Sequence, residues 1–174
     1  MIDYKRTFGV SKEDCKVVCS MDFKDETIII TDPCYITFNA FLNKGKGWPY
    51  FLERLDMLNA KSGFAGGIIA LPDGSRVMVS DTVYGDWNCR VYCSSYDGMT
   101  AVALGQFCAD AGLVCVVSDK CCTNDIKNYG TWCWTQIPNF TGTVSIVRYN
   151  DICGEDTVAV VGEGSMDFFS VQTV

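Results

Sequence analysis

The chain has 174 residues, 48% of them hydrophobic and 20% charged, with a formal net charge of −7 and no histidine. These figures fit a single globular domain over residues 1–174, long enough to bury about two thirds of the surface its unfolded form exposes. They exclude Ser-His-Asp and Cys-His catalysis and any histidine-ligated metal, and the acidic balance, with a pI near 4.5, argues against direct nucleic-acid binding, which needs clustered Lys and Arg.

The first 14 residues are mixed in charge, with no apolar core of signal-peptide length, and no later run approaches the length of a membrane span. A soluble, cytoplasmic protein is expected. Its eleven cysteines then read as reduced thiols, many of them small hydrophobes within strand-like runs.

Residues 16–20 and 27–31 read as two short strands joined through the polar segment 22–26 as a hairpin. Ile28, Ile29 and Ile30 are consecutive, so the second of these strands should be covered on both faces. Asp32-Pro33 ends it, because the residue before proline is driven to extended backbone. A helix follows over about 49–60, with Pro49 in its first turn and Trp48, Phe51, Leu52, Leu55 and Leu58 on an apolar stripe.

Past Gly63 the period changes to alternation. Strands are expected at 67–71 and 76–81 around the Pro72-Asp73-Gly74-Ser75 turn, then at 87–94 and 100–104, turned by Tyr96-Asp97-Gly98. Residues 113–117 form another apolar run, and 118–130 a polar loop or short helical turn. Strands at 131–137, 143–149, 157–161 and 166–172 complete the set, with a turn at Pro138-Asn139. The fold class predicted is mainly β: a single antiparallel barrel or sandwich of about ten short strands with one packed helix, the alternative being an α+β sheet covered by that helix.

Three motifs place an aspartate where a strand ends: Asp32-Pro33-Cys34-Tyr35, Tyr84-Gly85-Asp86-Trp87 and Asp110-Ala111-Gly112. If the three carboxylates converged they would suit a hard cation or acid–base work, with Cys34 as the adjacent nucleophile. Turns use the same residues, because an aspartate side chain bonds backbone two residues on, and this turn-only explanation is preferred. No cysteine spacing matches a zinc knuckle, so no metal, cofactor or catalytic residue is assigned. Trp132 and Trp134, two residues apart, fall on one face of a strand, and with Tyr35, Tyr84, Trp87 and Tyr129 they form either core or a surface that stacks a planar ligand. Arg90, Arg148 and Lys127 are the nearby cations available to an anionic group.

The order Ile-Ile-Thr-Asp-Pro-Cys-Tyr-Ile (29–36), Thr-Val-Tyr-Gly-Asp-Trp (82–87), Cys-Ala-Asp-Ala-Gly-Leu-Val-Cys-Val-Val (108–117) and Val-Gly-Glu-Gly-Ser-Met-Asp-Phe-Phe (161–169) resembles a family of small proteins of phages and Gram-positive bacteria that carries no established activity. Trp87 stands where that family often has glycine. The resemblance singles out Asp32, Pro33, Cys34, Tyr35, Tyr84, Gly85, Asp86, Asp110 and Gly112, and its phage setting implies a counter-defence role in the host cytoplasm. The expectation is therefore a non-catalytic binding protein that occupies a host defence protein or sequesters a small nucleotide-like signal, with homo-oligomerisation left open. Its candidate ligand-binding residues are Asp32, Cys34, Tyr35, Tyr84, Asp86, Trp87, Asp110, Trp132 and Trp134. The alternative is a metal-assisted or acid–base hydrolase built on Asp32, Asp86 and Asp110.

Overall fold

The computed structural model describes residues 2–41, 48–62, 65–82, 87–94, 100–110 and 112–167. Its frame is one eight-stranded sheet. In chain order the strands are β1 (Lys16–Thr31), β2 (Gly66–Ala70), β3 (Arg76–Asp81), β4 (Trp87–Ser94), β5 (Ala101–Ala109), β6 (Leu113–Ser118), β7 (Trp134–Asn150) and β8 (Asp156–Ser165). Two helices accompany them, α1 (Tyr4–Phe8) and α2 (Trp48–Ser62).

Across the sheet the order is β2-β3-β6-β1-β7-β8-β4-β5. All the pairings are antiparallel except β4 with β8, which run parallel, so the sheet is mixed rather than wholly antiparallel. It does not close into a barrel. The β5 edge nevertheless curls back toward β7: the Cys108 amide of β5 donates to the Trp132 carbonyl just before β7 (2.8 Å), and a Cβ on Gly105 would lie 3.4 Å from Thr135 Oγ1.

The mainly β class holds, but the strands among the described residues are eight, several of them longer than the short ones expected. Residues 16–31 form one strand rather than a hairpin, because β1 stays paired with β7 through the polar segment. Asp25 there has φ +50, and its amide donates to Thr141 Oγ1 (2.9 Å). The kink is absorbed as an irregularity in the ladder. On β7 the Pro138-Asn139 turn is likewise a bend inside a continuous strand, with Asn139 at φ +46 and its amide donating to Thr27 Oγ1 (3.2 Å). Both turn signals fall at the same level of the β1–β7 ribbon, where they bend two paired strands together instead of reversing either.

Further along that ribbon Gly142 of β7 faces Gly164 of β8. A Cβ on Gly142 would sit 2.3 Å from the Glu163 carbonyl oxygen, and one on Gly164 would sit 2.1 Å from that of Thr141. Only glycine fits this approach of two backbones. Residues 166 and 167 follow β8 without strand structure, and the rest of the strand expected over 166–172 lies outside the described residues, as does the Tyr96-Asp97-Gly98 turn.

The curl gives the sheet an inner and an outer face. Ile28 and Ile30 of β1 point inward with Val91, Phe107, Val116, Phe140, Ile146 and Val160, and the thiols of Cys89 and Cys93 pack among them. Ile29 points the other way, into a second cluster under α2 with Phe51, Leu55, Val77, Val79 and Cys115. All three isoleucines are fully buried, as their uninterrupted run predicts, each burial contributing about 1.5–3 kcal/mol. On α2, Phe51, Leu55 and Leu58 hold the inward stripe, whereas Leu52 is exposed, one residue off the i, i+4, i+7 line. A third cluster, with no signal in the sequence reading, lies where Ile2 and the Tyr4 and Phe8 rings of α1 cover Tyr92, Val147, Tyr149 and Val161.

Among the described residues no helix is long and apolar enough to cross a membrane.

Candidate functional site: an aromatic rim beside Asp110

The Asp-Pro stop works as a cap. After β1 the chain makes a 3-10 turn, Pro33–Tyr35, and Asp32, fully buried, is its N-cap. Asp32 Oδ1 accepts the Cys34 amide (3.0 Å), and Oδ2 accepts the Leu113 amide at the start of β6 (3.3 Å). The same carboxylate therefore ends one strand and anchors the next. Thr31 adds a second tie, its hydroxyl donating to the Cys133 carbonyl (2.6 Å).

Asp110 also occupies a turn. The Gly112 amide donates to the Ala109 carbonyl (3.1 Å), with Gly112 at φ +76, a left-handed conformation that disfavours side chains, and Thr82 bonds the Gly112 carbonyl through both amide and hydroxyl. The Asp110 side chain is exposed and accepts a short hydrogen bond from the Tyr35 phenol. Burial, and then this bond to a carboxylate, push the Tyr35 pKa up, so the phenol stays a donor at neutral pH.

Around this pair two further rings gather. Tyr129 lies 5.2 Å from Tyr35 between centroids, and Trp132 lies 6.2 Å from it, both edge-on. Trp132 is 59% exposed and Tyr129 38% exposed. A Cβ on Gly130 would lie 2.8 Å from the Trp132 ring, so the indole lies against bare backbone. The result is a rim of three aromatic rings and one carboxylate, held on the capped turn after β1, the turn between β5 and β6, and the loop before β7.

The sequence candidates divide accordingly. Tyr35, Asp110 and Trp132 meet in the rim. Asp32 and Cys34 belong to the turn that carries Tyr35, Asp32 as its buried cap and Cys34 half-buried. Trp134 opens β7, two residues past Trp132. It packs against the α2 cluster and its indole N–H donates to the Tyr129 carbonyl (3.3 Å), which holds the loop carrying Tyr129. The expected pairing of the two tryptophans on one strand face fails because Trp132 lies in a turn and β7 begins only at Trp134. Tyr84 and Asp86 lie outside the described residues, and of Trp87 only the backbone, paired with Ala109, is described.

For metal chemistry, no three Cys, Asp or Glu side chains among the described residues gather as ligands. No cysteine there forms a disulfide, and burial pushes the Cys89, Cys93 and Cys122 thiols up to about 12. Tyr129 is the rim member missing from the candidate ligand-binding residues, although the sequence sets it beside Tyr35 among the aromatics: its ring reaches Tyr35 only through the fold. No protein-family model matches the chain, and no curated protein or solved structure matches it either.

Proposed function

We propose that the protein is a non-catalytic binding protein that occupies a partner protein through the Tyr35–Tyr129–Trp132 rim, in a counter-defence role of the kind its phage-type motifs imply. One observation carries the reading: exposed rings and a carboxylate are held together on a braced turn. Arg and Lys side chains favour the faces of such rings, and a carboxylate alongside adds a charge-assisted hydrogen bond. The net charge of −7 draws a basic partner surface toward the rim. The same charge disfavours a nucleotide phosphate there.

The hydrolase alternative asks Asp32 to act on a substrate, and both its oxygens already accept backbone amides. The test is affinity capture from a bacterial host with the native chain, Trp132→Ala and Asp110→Asn in parallel. A partner retained by the native chain and lost by both variants supports the proposal, and one retained equally by all three removes the rim from recognition.

A further inference from the structure

A second concave surface lies on the outer face of the sheet, where β5, β4 and β8 run side by side. It is a cleft of about 430 Å³, within the size range of small-molecule sites. Arg90 stands at its centre, between Gln106 on β5 and Ala159 on β8 by direct register. Asn88, Thr157, Asp151 and Tyr149 add to the polar lining.

Arg90 differs from the other arginine near this face. Arg148 is held by Asp156 in a forked pair, its Nε donating at 2.9 and 3.0 Å to the two carboxylate oxygens. Arg90 makes no ion pair among the described residues; its side-chain hydrogen bond goes to Tyr92, on the same strand face two residues on. Asp151, the carboxylate in the lining, turns Oδ1 to the Cys153 and Glu155 amides of the β7–β8 hairpin (2.9 Å each). An exposed guanidinium without a counter-ion among the described residues, in a chain of net charge −7, is thus set between an amide side chain and the small Ala159 that leaves the floor open. A guanidinium fork matches a planar or tetrahedral oxyanion, and flanking amides and a hydroxyl add donors without adding charge.

We propose that the Arg90 cleft is a separate binding site for a small organic oxyanion, a phosphate or carboxylate ester-sized molecule, with Arg90 gripping the anionic group and Asn88, Gln106 and Thr157 bonding the rest. It does not depend on the rim, which carries the opposite charge. The cleft is polar and open, so affinity comes from the charged grip, and it weakens with salt.

The experiment is an amide-detected NMR titration of the full chain with AMP, citrate and, as the uncharged control, adenosine. AMP or citrate should shift the Asn88, Arg90 and Gln106 amides saturably, and which one does so distinguishes phosphate from carboxylate. Adenosine should not. Arg90→Gln should weaken binding at least tenfold and Arg90→Lys less, while Trp132→Ala leaves it unchanged; Arg90 is exposed, so unshifted amides elsewhere show that these variants fold. The proposal is overturned if neither anion binds by about 1 mM, if adenosine binds as well as AMP, if Arg90→Gln matches the native chain, or if Trp132→Ala abolishes binding.

Discussion

Replacing Asp32 separates a structural carboxylate from a catalytic one. Asp32→Ala removes the cap of the Pro33–Tyr35 turn, worth about 1 kcal/mol. It also strips the acceptor from the Leu113 amide in a buried setting, and a buried donor left without its bond costs about 1–3 kcal/mol. The sum is a loss of about 2–4 kcal/mol, or roughly 5–15 °C in Tm for a chain of this length. Asp32→Asn keeps one acceptor but turns an NH2 group toward the other backbone donor, so it should lose about 1–2 kcal/mol. Urea unfolding followed by circular dichroism measures both, and hydrogen exchange at the Leu113 amide reports the bridge itself. A catalytic carboxylate commonly behaves in the opposite way, because its removal leaves stability unchanged or raised. A loss below about 0.5 kcal/mol in Asp32→Ala, or unchanged exchange at Leu113, would refute the assignment of Asp32 as a cap and anchor.

Further outcomes follow from the same contacts. Stability should fall steeply above pH 9: the Cys89, Cys93 and Cys122 thiols are raised to about 12 by burial, so they stay protonated in the fold while the unfolded chain ionises. Each such thiol removes about 1.4 kcal/mol per pH unit between its unfolded and folded values; denaturation midpoints that stay flat from pH 8 to about 10 would contradict this burial. Gly164→Ala should destabilise the chain by more than about 3 kcal/mol or prevent folding, since the new Cβ meets the Thr141 carbonyl, whereas an alanine at Gly74, with open space around it, is expected to cost about 1 kcal/mol through its positive φ alone. Tyr35→Phe loses the bond to Asp110 at about 1 kcal/mol, and alkaline titration followed by tyrosinate absorbance should show one fewer late-ionising tyrosine, because the Tyr35 phenol is raised and contributes stability that is lost only as pH climbs past 10.

Much of the framework was legible in the sequence because it depends on local patterns. The isoleucine run at 28–30, the apolar stripe of α2 and the Pro72–Ser75 hairpin each follow from side-chain period or turn chemistry; the run and the hairpin are present, and the stripe holds at Phe51, Leu55 and Leu58 but not at Leu52. What failed was the meaning of polar interruptions. Asp25 and Asn139 carry ordinary turn signals, yet each sits in a strand whose partner supplies side-chain bonds across the kink, so pairing over the β1–β7 ribbon overrides local preference. The parallel pairing of β4 with β8 joins residues far apart in the chain and leaves no local trace.

The site divides along the same line. Asp32 could be read as a turn residue from its neighbours alone, but its bond to Leu113 is a tertiary contact. Tyr35 and Asp110 could be named as motif residues and Trp132 as a candidate aromatic; that the three meet, and that Tyr129 joins them, is set by how β1, β5 and the loop before β7 converge. Arg90 was legible as one of three cations available to an anionic group, while its lack of an ion-pair partner among the described residues is a property of the packed sheet.

The most direct test of the binding account is the Trp132 indole N–H resonance during titration with an arginine-rich peptide at low salt. The expected result is a saturable shift at Trp132, with the Tyr35 and Tyr129 rings moving in step, that weakens as salt rises and drops several-fold in Asp110→Asn. A peptide that leaves the rim resonances unmoved, or that binds Asp110→Asn as tightly as the native chain, would contradict the account.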